Sequence, residues 1–396
     1  MGQGATAPSL PLFAREFGVS VVLASLAVVM FPMGRLVMSI PGGILSQRFG
    51  RRPVLITSMS VVAVGAILAA FSHSFEELLI FRILSGLGGG AFVVTATIYL
   101  RDISTAENRA RYQSLNPMSI LIGISLGALA GGWLADTMNF RAPFYLQMGT
   151  ALVAIVVIGG FIPETRGLGE DRQRISEKRD GATEGKRSLL TGLLRSPGFI
   201  VVALFSLWVV GSRQGARFSV MPLFAQEKGF SPKDLGVFFL FTHVPQFFAV
   251  IVAGILADRF GRKIAIIPAA TIFALGVLIF IAGSSYGILL LSGVLLGLGE
   301  GLAGPPTVAY FADKAPRGLE ALTMGLYGTV GGAGALLGAL ILGFISDTWG
   351  FGTALFVDAL VLLVLALSVI VIARESHQKD NCVAAIFTGG HGLPQK

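Results

Sequence analysis

Eleven stretches of this sequence are mostly apolar over about the 20 residues that a helix needs to cross a bilayer. They are 21–46, 53–72, 77–100, 112–135, 142–162, 198–225, 234–257, 263–283, 286–311, 321–346 and 351–373. Hydrocarbon offers no water to backbone N–H and C=O groups, so only helices and closed barrels span it. Uninterrupted runs of this length predict helices. Of the 396 residues, 54% are hydrophobic and 13% charged, and the mean hydropathy is +0.77. Soluble domains carry roughly 25% charged residues. The balance argues against a water-soluble multi-domain enzyme, and equally against a disordered chain.

The net charge of +8 is distributed by topology. With the loop after 21–46 on the cytoplasmic side, 22 of the 30 Lys and Arg fall on that side and 4 on the other. This is the bias that orients membrane helices. No basic face with interleaved aromatics points to nucleic acid. Cys382 is the one cysteine, so neither an internal disulfide nor a thiolate cluster is available. His73, His243, His377 and His391 show no metal-ligand spacing. Neither a metal nor a cofactor is expected. The organisation reads as a membrane bundle over 1–162, a charged cytoplasmic linker over 163–197, a second bundle over 198–375 and a cytoplasmic tail over 376–396. Lys186 to Arg195, with leucines on one side, is expected to form a short interfacial helix.

Shifted by 211 residues, the sequence matches itself without a gap from residue 11 to 140. Pro11-Leu12-Phe13-Ala14 falls on Pro222-Leu223-Phe224-Ala225, and Arg48-Phe49-Gly50-Arg51 on Arg259-Phe260-Gly261-Arg262. Gly86-Leu87-Gly88 falls on Gly297-Leu298-Gly299, Gly123 and Gly127 on Gly334 and Gly338, and Asp136 on Asp347. Two parallel halves joined by a linker match a secondary transporter built about an axis along the membrane normal. Position 1 corresponds to Ser212. The first half is therefore expected to start part-way along its first helix, and a full protein to have twelve helices with both termini cytoplasmic.

Gly254-Ile-Leu-Ala-Asp258-Arg259-Phe-Gly261-Arg262-Lys263 resembles the loop motif of the major facilitator superfamily, and Gly43 to Arg52 is its first-half partner. The resemblance implies an all-α membrane protein of two pseudo-symmetric six-helix bundles. Their central cavity would open alternately to each side, most like the drug:proton antiporter branch. It also implies a conformational latch at Gly43, Gln47, Arg48, Gly50 and Arg51 and at Gly254, Asp258, Arg259, Gly261 and Arg262. Glycine permits a tight turn and close helix contact, and the carboxylate can accept from basic residues near a helix N-terminus. Gln47 stands where the family usually has Asp. Phe81-Arg82 before Gly86 resembles the fourth-helix motif whose Arg is tied to proton coupling. Gly123-x-x-x-Gly127-Ala128-x-x-Gly131-Gly132 resembles the antiporter motif, with Ala128 in place of its Pro. Small-residue packing is the alternative reading of the same glycines.

Ionisable groups within hydrocarbon are costly and usually face a cavity. Six qualify: Arg35, Arg82, Arg213, Arg217, Glu300 and Asp358. Arg213 and Arg217, four apart, share a helix face and are expected to meet Glu300. Glu300, Arg82 and Asp358 are the candidates for proton coupling; a static ion pair orienting two helices is the alternative for Glu300. Arg35, Asn116, Arg213, Arg217, His243, Gln246 and Tyr327 are the candidates for lining a substrate cavity, with Tyr99, Gln113, Gln214 and Phe218 as further polar or aromatic positions. Four Arg against two acids favour anionic substrates, unless residues preceding the chain supply an acid.

The function expected is proton-coupled export of small amphipathic compounds by a monomer in the plasma (inner) membrane. The partners are a small-molecule substrate, protons and the lipid bilayer, with no nucleic acid. An uptake carrier for an organic anion is the alternative, and a non-transporting sensor on the same fold a remote one. No nucleophile–base pair, catalytic carboxylate pair or phosphate loop points to an enzyme.

Overall fold

Proline and glycine decide where the apolar runs become separate helices. A computed structural model describes residues 2–105, 108–165, 193, 195–316 and 319–373, and helices are the only regular elements among them. The first half contains α1 (Gly2–Thr6), α2 (Leu10–Arg15), α3 (Val21–Val37), α4 (Ser39–Phe49), α5 (Arg51–Ala70), α6 (Phe75–Asp102), α7 (Arg109–Thr137) and α8 (Ala142–Phe161). The second contains α9 (Pro197–Ser212), a π-helical segment (Arg213–Val220), α10 (Met221–Glu227), α11 (Pro232–Phe260), α12 (Arg262–Ala282), α13 (Tyr286–Lys314), α14 (Glu320–Trp349) and α15 (Phe351–Ile372). Among the described residues nine helices are long and apolar enough to cross a membrane; α3 with α4 makes a tenth, and Ile266–Ala282 of α12 is a shorter apolar helix. Each of the eleven expected runs is helical. The tail, and the linker with its expected interfacial helix apart from a few residues, lie outside the described residues.

The halves differ where proline differs. The 45° bend between α3 and α4 has Pro41 in the first turn after it. Its ring and missing N–H break the ladder to the preceding turn. The repeat equivalent is Val252, and α11 runs through it unbroken. Likewise α1 stops at Thr6, just before Pro8, and the chain restarts as α2. Ser219 stands at the equivalent place. Its hydroxyl donates to the Gln214 carbonyl at 2.9 Å, and there the helix widens to π geometry instead of breaking.

The repeated loop motif folds identically in both halves. Gly50 and Gly261 each have φ of +98° with extended ψ, a region open essentially to Gly alone. The Arg after each glycine reaches an acid at the end of a neighbouring span. Arg51 Nε donates to Asp102 at 2.9 Å, with both side chains almost fully buried, and Arg262 Nε donates to Asp313 at 3.2 Å in a more exposed pair. Glu164 accepts from the backbone N–H groups of Arg51 and Arg52 at 2.8 and 3.0 Å, capping α5.

The bundles meet along two seams, α3 against α14 and α7 against α11. Both are closed at the end away from the arginine-rich loops, here called the far end. A Cβ on Gly132 of α7 would press on the backbone of Pro232 and Gly236, and one on Gly343 of α14 would lie 2.9 Å from the Val22 backbone. These glycines are repeat equivalents. Asp347 accepts from the backbone N–H groups of Val21 and Val22 at 2.8 and 2.9 Å, capping α3 from the other bundle. One buried apolar cluster runs through both bundles at the far end, from Phe13, Val28 and Phe144 to Phe238 and Leu342. At the basic end the core divides. Leu55, Met59 and Ile158 form a cluster in the first bundle, while Phe199, Ile266 and Phe311 belong to another in the second. A Cβ on Gly254, Gly325 or Gly328 would meet open space. The molecule is therefore closed at its far end and open at its basic end.

Candidate functional site

The π segment carries the site's charges. A π turn holds more residues than an α turn, so Arg213 and Arg217 still project to the same side, towards α13. There Glu300 receives both: Arg213 Nη1 lies 3.3 Å from one carboxylate oxygen, and Arg217 pairs with the other. The pairs are unequal. Arg217 is 1% exposed and Glu300 6%, whereas Arg213 is 38% exposed and faces the opening between the bundles. Gly89 is the repeat equivalent of Glu300, so the acid belongs to one half only.

Aromatic rings wall this cluster. The Arg217 guanidinium lies 5.1 Å from the Phe218 ring centroid. Phe218 stacks on Phe239, with centroids 5.2 Å apart and planes at 11°. His243 stacks on both rings, and its Nδ1 lies 2.7 Å from the Phe239 carbonyl. Gln246 follows one turn later; its side chain is buried and its Oε1 has no partner. The Gln246 backbone packs beside Gly301, next to Glu300. Arg35, from the first bundle, lies within electrostatic reach of Arg213, so two cations of different halves face each other.

The other expected residues are not part of this cluster. Asn116 donates to Thr97 at 2.8 Å, tying α7 to α6. Tyr327 packs edge-on against Phe311, with centroids 5.2 Å apart, in the basic-end core of the second bundle. Asp358 is fully buried and accepts from Ser212 at 2.6 Å, on the α15 side of α9. Arg82 is 3% exposed and stands over Phe31. Its Nη1 lies 3.4 Å from Thr6 Oγ1. Of the latch positions, Gly50, Gly261, Arg51 and Arg262 make the turns and ion pairs described above. Gln47 and Arg48 are exposed. Gly43 has only an ordinary contact with Val94, and Gly254 has none, so the close helix contact expected of them is absent in this open-ended state. The side chains of Gln113, Asp258 and Arg259 lie outside the described residues.

Sequence reasoning missed Asp102 and Asp313, although the offset that aligns Arg51 with Arg262 also aligns them. It missed Gln3 and Thr6 as well. They line a small cavity with Arg82, Gln214 and Phe218, and the same offset places Gln3 on Gln214 and Thr6 on Arg217.

A family model described as Major Facilitator Superfamily matches residues 1–244 and 215–386. An uncharacterised MFS-type transporter of Mycobacterium tuberculosis is 32% identical over 162 residues, 41% of this chain and 23% of that protein. The chain thus matches less than a quarter of that relative's length. The class B tetracycline resistance protein of Escherichia coli is 26% identical over 368 residues, 88% of this chain and 87% of that one. Among solved structures, the inward-open xylose transporter XylE of E. coli superposes with a TM-score of 0.70 at 17% identity, covering 96% of this chain and 94% of that one. That likeness is one of fold.

Proposed function

We propose that this chain, which belongs to the Major Facilitator Superfamily, is a proton-coupled exporter of small amphipathic organic compounds. It works as a monomer in the plasma membrane, with its basic face, linker and tail cytoplasmic. On that orientation the state described here is inward-open. The observation that carries the reading is Glu300, buried between Arg213 and Arg217. Ionised, it balances the two guanidiniums. A proton on it leaves both uncompensated beside Arg35, which is unfavourable in a low-dielectric setting, so proton uptake drives rearrangement. A guanidinium does not lose its proton; Arg82 therefore acts by its charge. Asp358, buried and hydrogen-bonded by Ser212, is a second carboxyl able to take a proton.

Phe218, backed by the buried Phe239, supplies an apolar surface for an amphipathic solute, and the resemblance to a tetracycline resistance protein supports export. The loop motif supports a latch in which Asp258, whose first-half counterpart is Gln47, favours the state closed at the basic face. The excess of arginine favours a second reading, uptake of an organic anion, and the direction of transport separates the two.

The test is transport in proteoliposomes holding the full chain, under an imposed pH gradient, with a panel of lipophilic cations and organic anions. Wild type should move substrate uphill. Glu300→Gln should lose uphill movement while keeping exchange of substrate for substrate, which needs no net proton. A well-folded Glu300→Gln protein that pumps at the wild-type rate overturns the reading.

A further inference from the structure

The small cavity beside Arg82 lies between the two bundles. Gln3 and Thr6 of α1 and Val28 of α3 line it from the first half, and Gln214 and Phe218 from the second. Gln3 and Gln214 are repeat equivalents, so the cavity lies on the pseudo-two-fold axis and meets one side-chain amide from each half. Most of the wall comes from the first half, and Arg82 is the only charged residue in it among the described residues. Its repeat equivalent is Gly293.

The chemistry of the lining is one-sided. Arg82 is almost fully buried, yet no ion pair to a carboxylate is found for it among the described residues. Its hydrogen bond to Thr6 is long, at 3.4 Å, and its Nε has no partner. A buried guanidinium without a counter-charge is costly, and it offers parallel N–H donors matched to a carboxylate. The two glutamines add amide N–H groups able to turn towards the same point, since an amide donates as readily as it accepts. Among the described residues, no acid lines the cavity. Its volume of about 30 Å³ takes one small group and not a whole organic molecule.

We infer that the axial cavity of Arg82, Gln3, Thr6 and Gln214 binds a single small anionic group, the carboxylate end of the transported compound. The rest of that compound lies along Phe218, whose ring separates this cavity from the Glu300 cluster. An anion held by Arg82 of the first bundle and Gln214 of the second joins the halves through the ligand. Occupancy then favours their approach, the step that an alternating-access carrier must couple to binding. The consequence for transport rests on the function proposed above, whereas the site itself does not. Binding is therefore measured without transport.

The experiment is isothermal titration calorimetry on the purified full chain in detergent, with sodium benzoate, its neutral analogue benzamide, and sodium chloride as probes. Wild type should bind benzoate saturably and at least ten-fold more tightly than benzamide. Arg82→Gln should lose that preference, Arg82→Lys should keep part of it, and Gln214→Leu should weaken benzoate several-fold. A non-specific salt effect is common to all variants and cancels. If Arg82→Gln does not fold, Gln3→Leu and Gln214→Leu, at equivalent positions of the two halves, provide the same comparison. Chloride that displaces benzoate but binds more weakly agrees with a carboxylate site. Chloride binding as tightly as benzoate identifies an inorganic anion instead and overturns the assignment to substrate. Benzoate and benzamide binding alike to wild type, or benzoate affinity unchanged in both Arg82→Gln and Gln214→Leu, overturns the site. Failure of uphill transport with this preference intact would count against the proposed function alone.

Discussion

Asp347 caps Val22 across the seam between the bundles: its carboxylate accepts from the Val22 backbone N–H at 2.9 Å and from Val21 at 2.8 Å. A carboxylate at a helix N-terminus meets both the unsatisfied N–H groups and the positive end of the helix dipole. Here the acid and the helix belong to different halves, so the cap holds the far end shut. Its repeat equivalent, Asp136, would have one N–H fewer to accept from. It would face the start of α11, where Pro232 has no N–H and Ser231 with Asp234 already forms a capping box.

Asp347→Asn should therefore open the far end. The residue is exposed, so the cap is worth about 0.3–1 kcal/mol, a shift of roughly two- to five-fold in the conformational equilibrium. Ser25 lies on the same seam, fully buried. In a protein with Ser25→Cys and Cys382→Ser, thiol labelling should quicken by about that factor when Asp347→Asn is added. High salt should shrink the difference. Equal labelling rates with and without Asp347 would remove its role in closure.

The two loop ion pairs should differ in weight although the repeat makes them equivalent. Arg51 and Asp102 are almost fully buried, whereas Asp313 of the second pair is 31% exposed. Removing one partner of a buried pair strands a charge and costs about 3–5 kcal/mol; an exposed pair contributes about 0–1 kcal/mol. Asp102→Asn should lower thermal stability in detergent markedly and Asp313→Asn only slightly. Similar melting temperatures for the two variants would show that burial does not separate them.

The spans were legible because each needs its own length of apolar residues, and the loops because glycine alone tolerates the φ that both adopt at Gly50 and Gly261. The pairing of Glu300 with Arg213 and Arg217 was legible too, since a charge in hydrocarbon needs a counter-charge. Which end is open was not. Glycines line the seam helices along their whole length: Gly132 and Gly343 touch the opposite bundle, while Gly254 and Gly325 touch nothing. Composition cannot distinguish them. The π segment was hidden because Arg213–Val220 satisfies an α pattern equally well. Thr6 and Gln3 were hidden because a neutral polar residue in a span is ordinarily a packing residue, and only the fold brings them to Arg82.

Seam glycines should respond to substitution according to their contacts. Gly132→Leu and Gly343→Leu put a side chain where backbone of the opposite bundle already stands, so each should wedge the far end open and raise Ser25→Cys labelling. Gly254→Leu enters open space in this state and should leave that labelling unchanged. If Gly254→Leu also impedes closure of the basic end, trapping the present state, transport falls while stability holds. Equal effects of all three on labelling would contradict the arrangement of the seams.

Arg213 and Arg217 pair with the same carboxylate but should not be equivalent on removal. Arg217 is 1% exposed and lies under Phe218, so Arg217→Gln leaves Glu300 to the one arginine that water screens. The loss of a buried counter-charge costs about 3–5 kcal/mol, to be read as poor expression or a lower melting temperature. Arg213, at 38% exposure, already shares its charge with solvent, and Arg213→Gln should cost no more than about 1 kcal/mol. Its effect should fall on transport instead. Removing it takes away the charge that opposes Arg35 across the bundles, so the halves approach more easily and the pH at which uphill transport is half-maximal should shift. Arg213→Lys should restore the charge and most of the wild-type pH profile. A stable Arg217→Gln protein beside an unstable Arg213→Gln protein would invert the assignment, and would place the structural half of the pair on the side facing water.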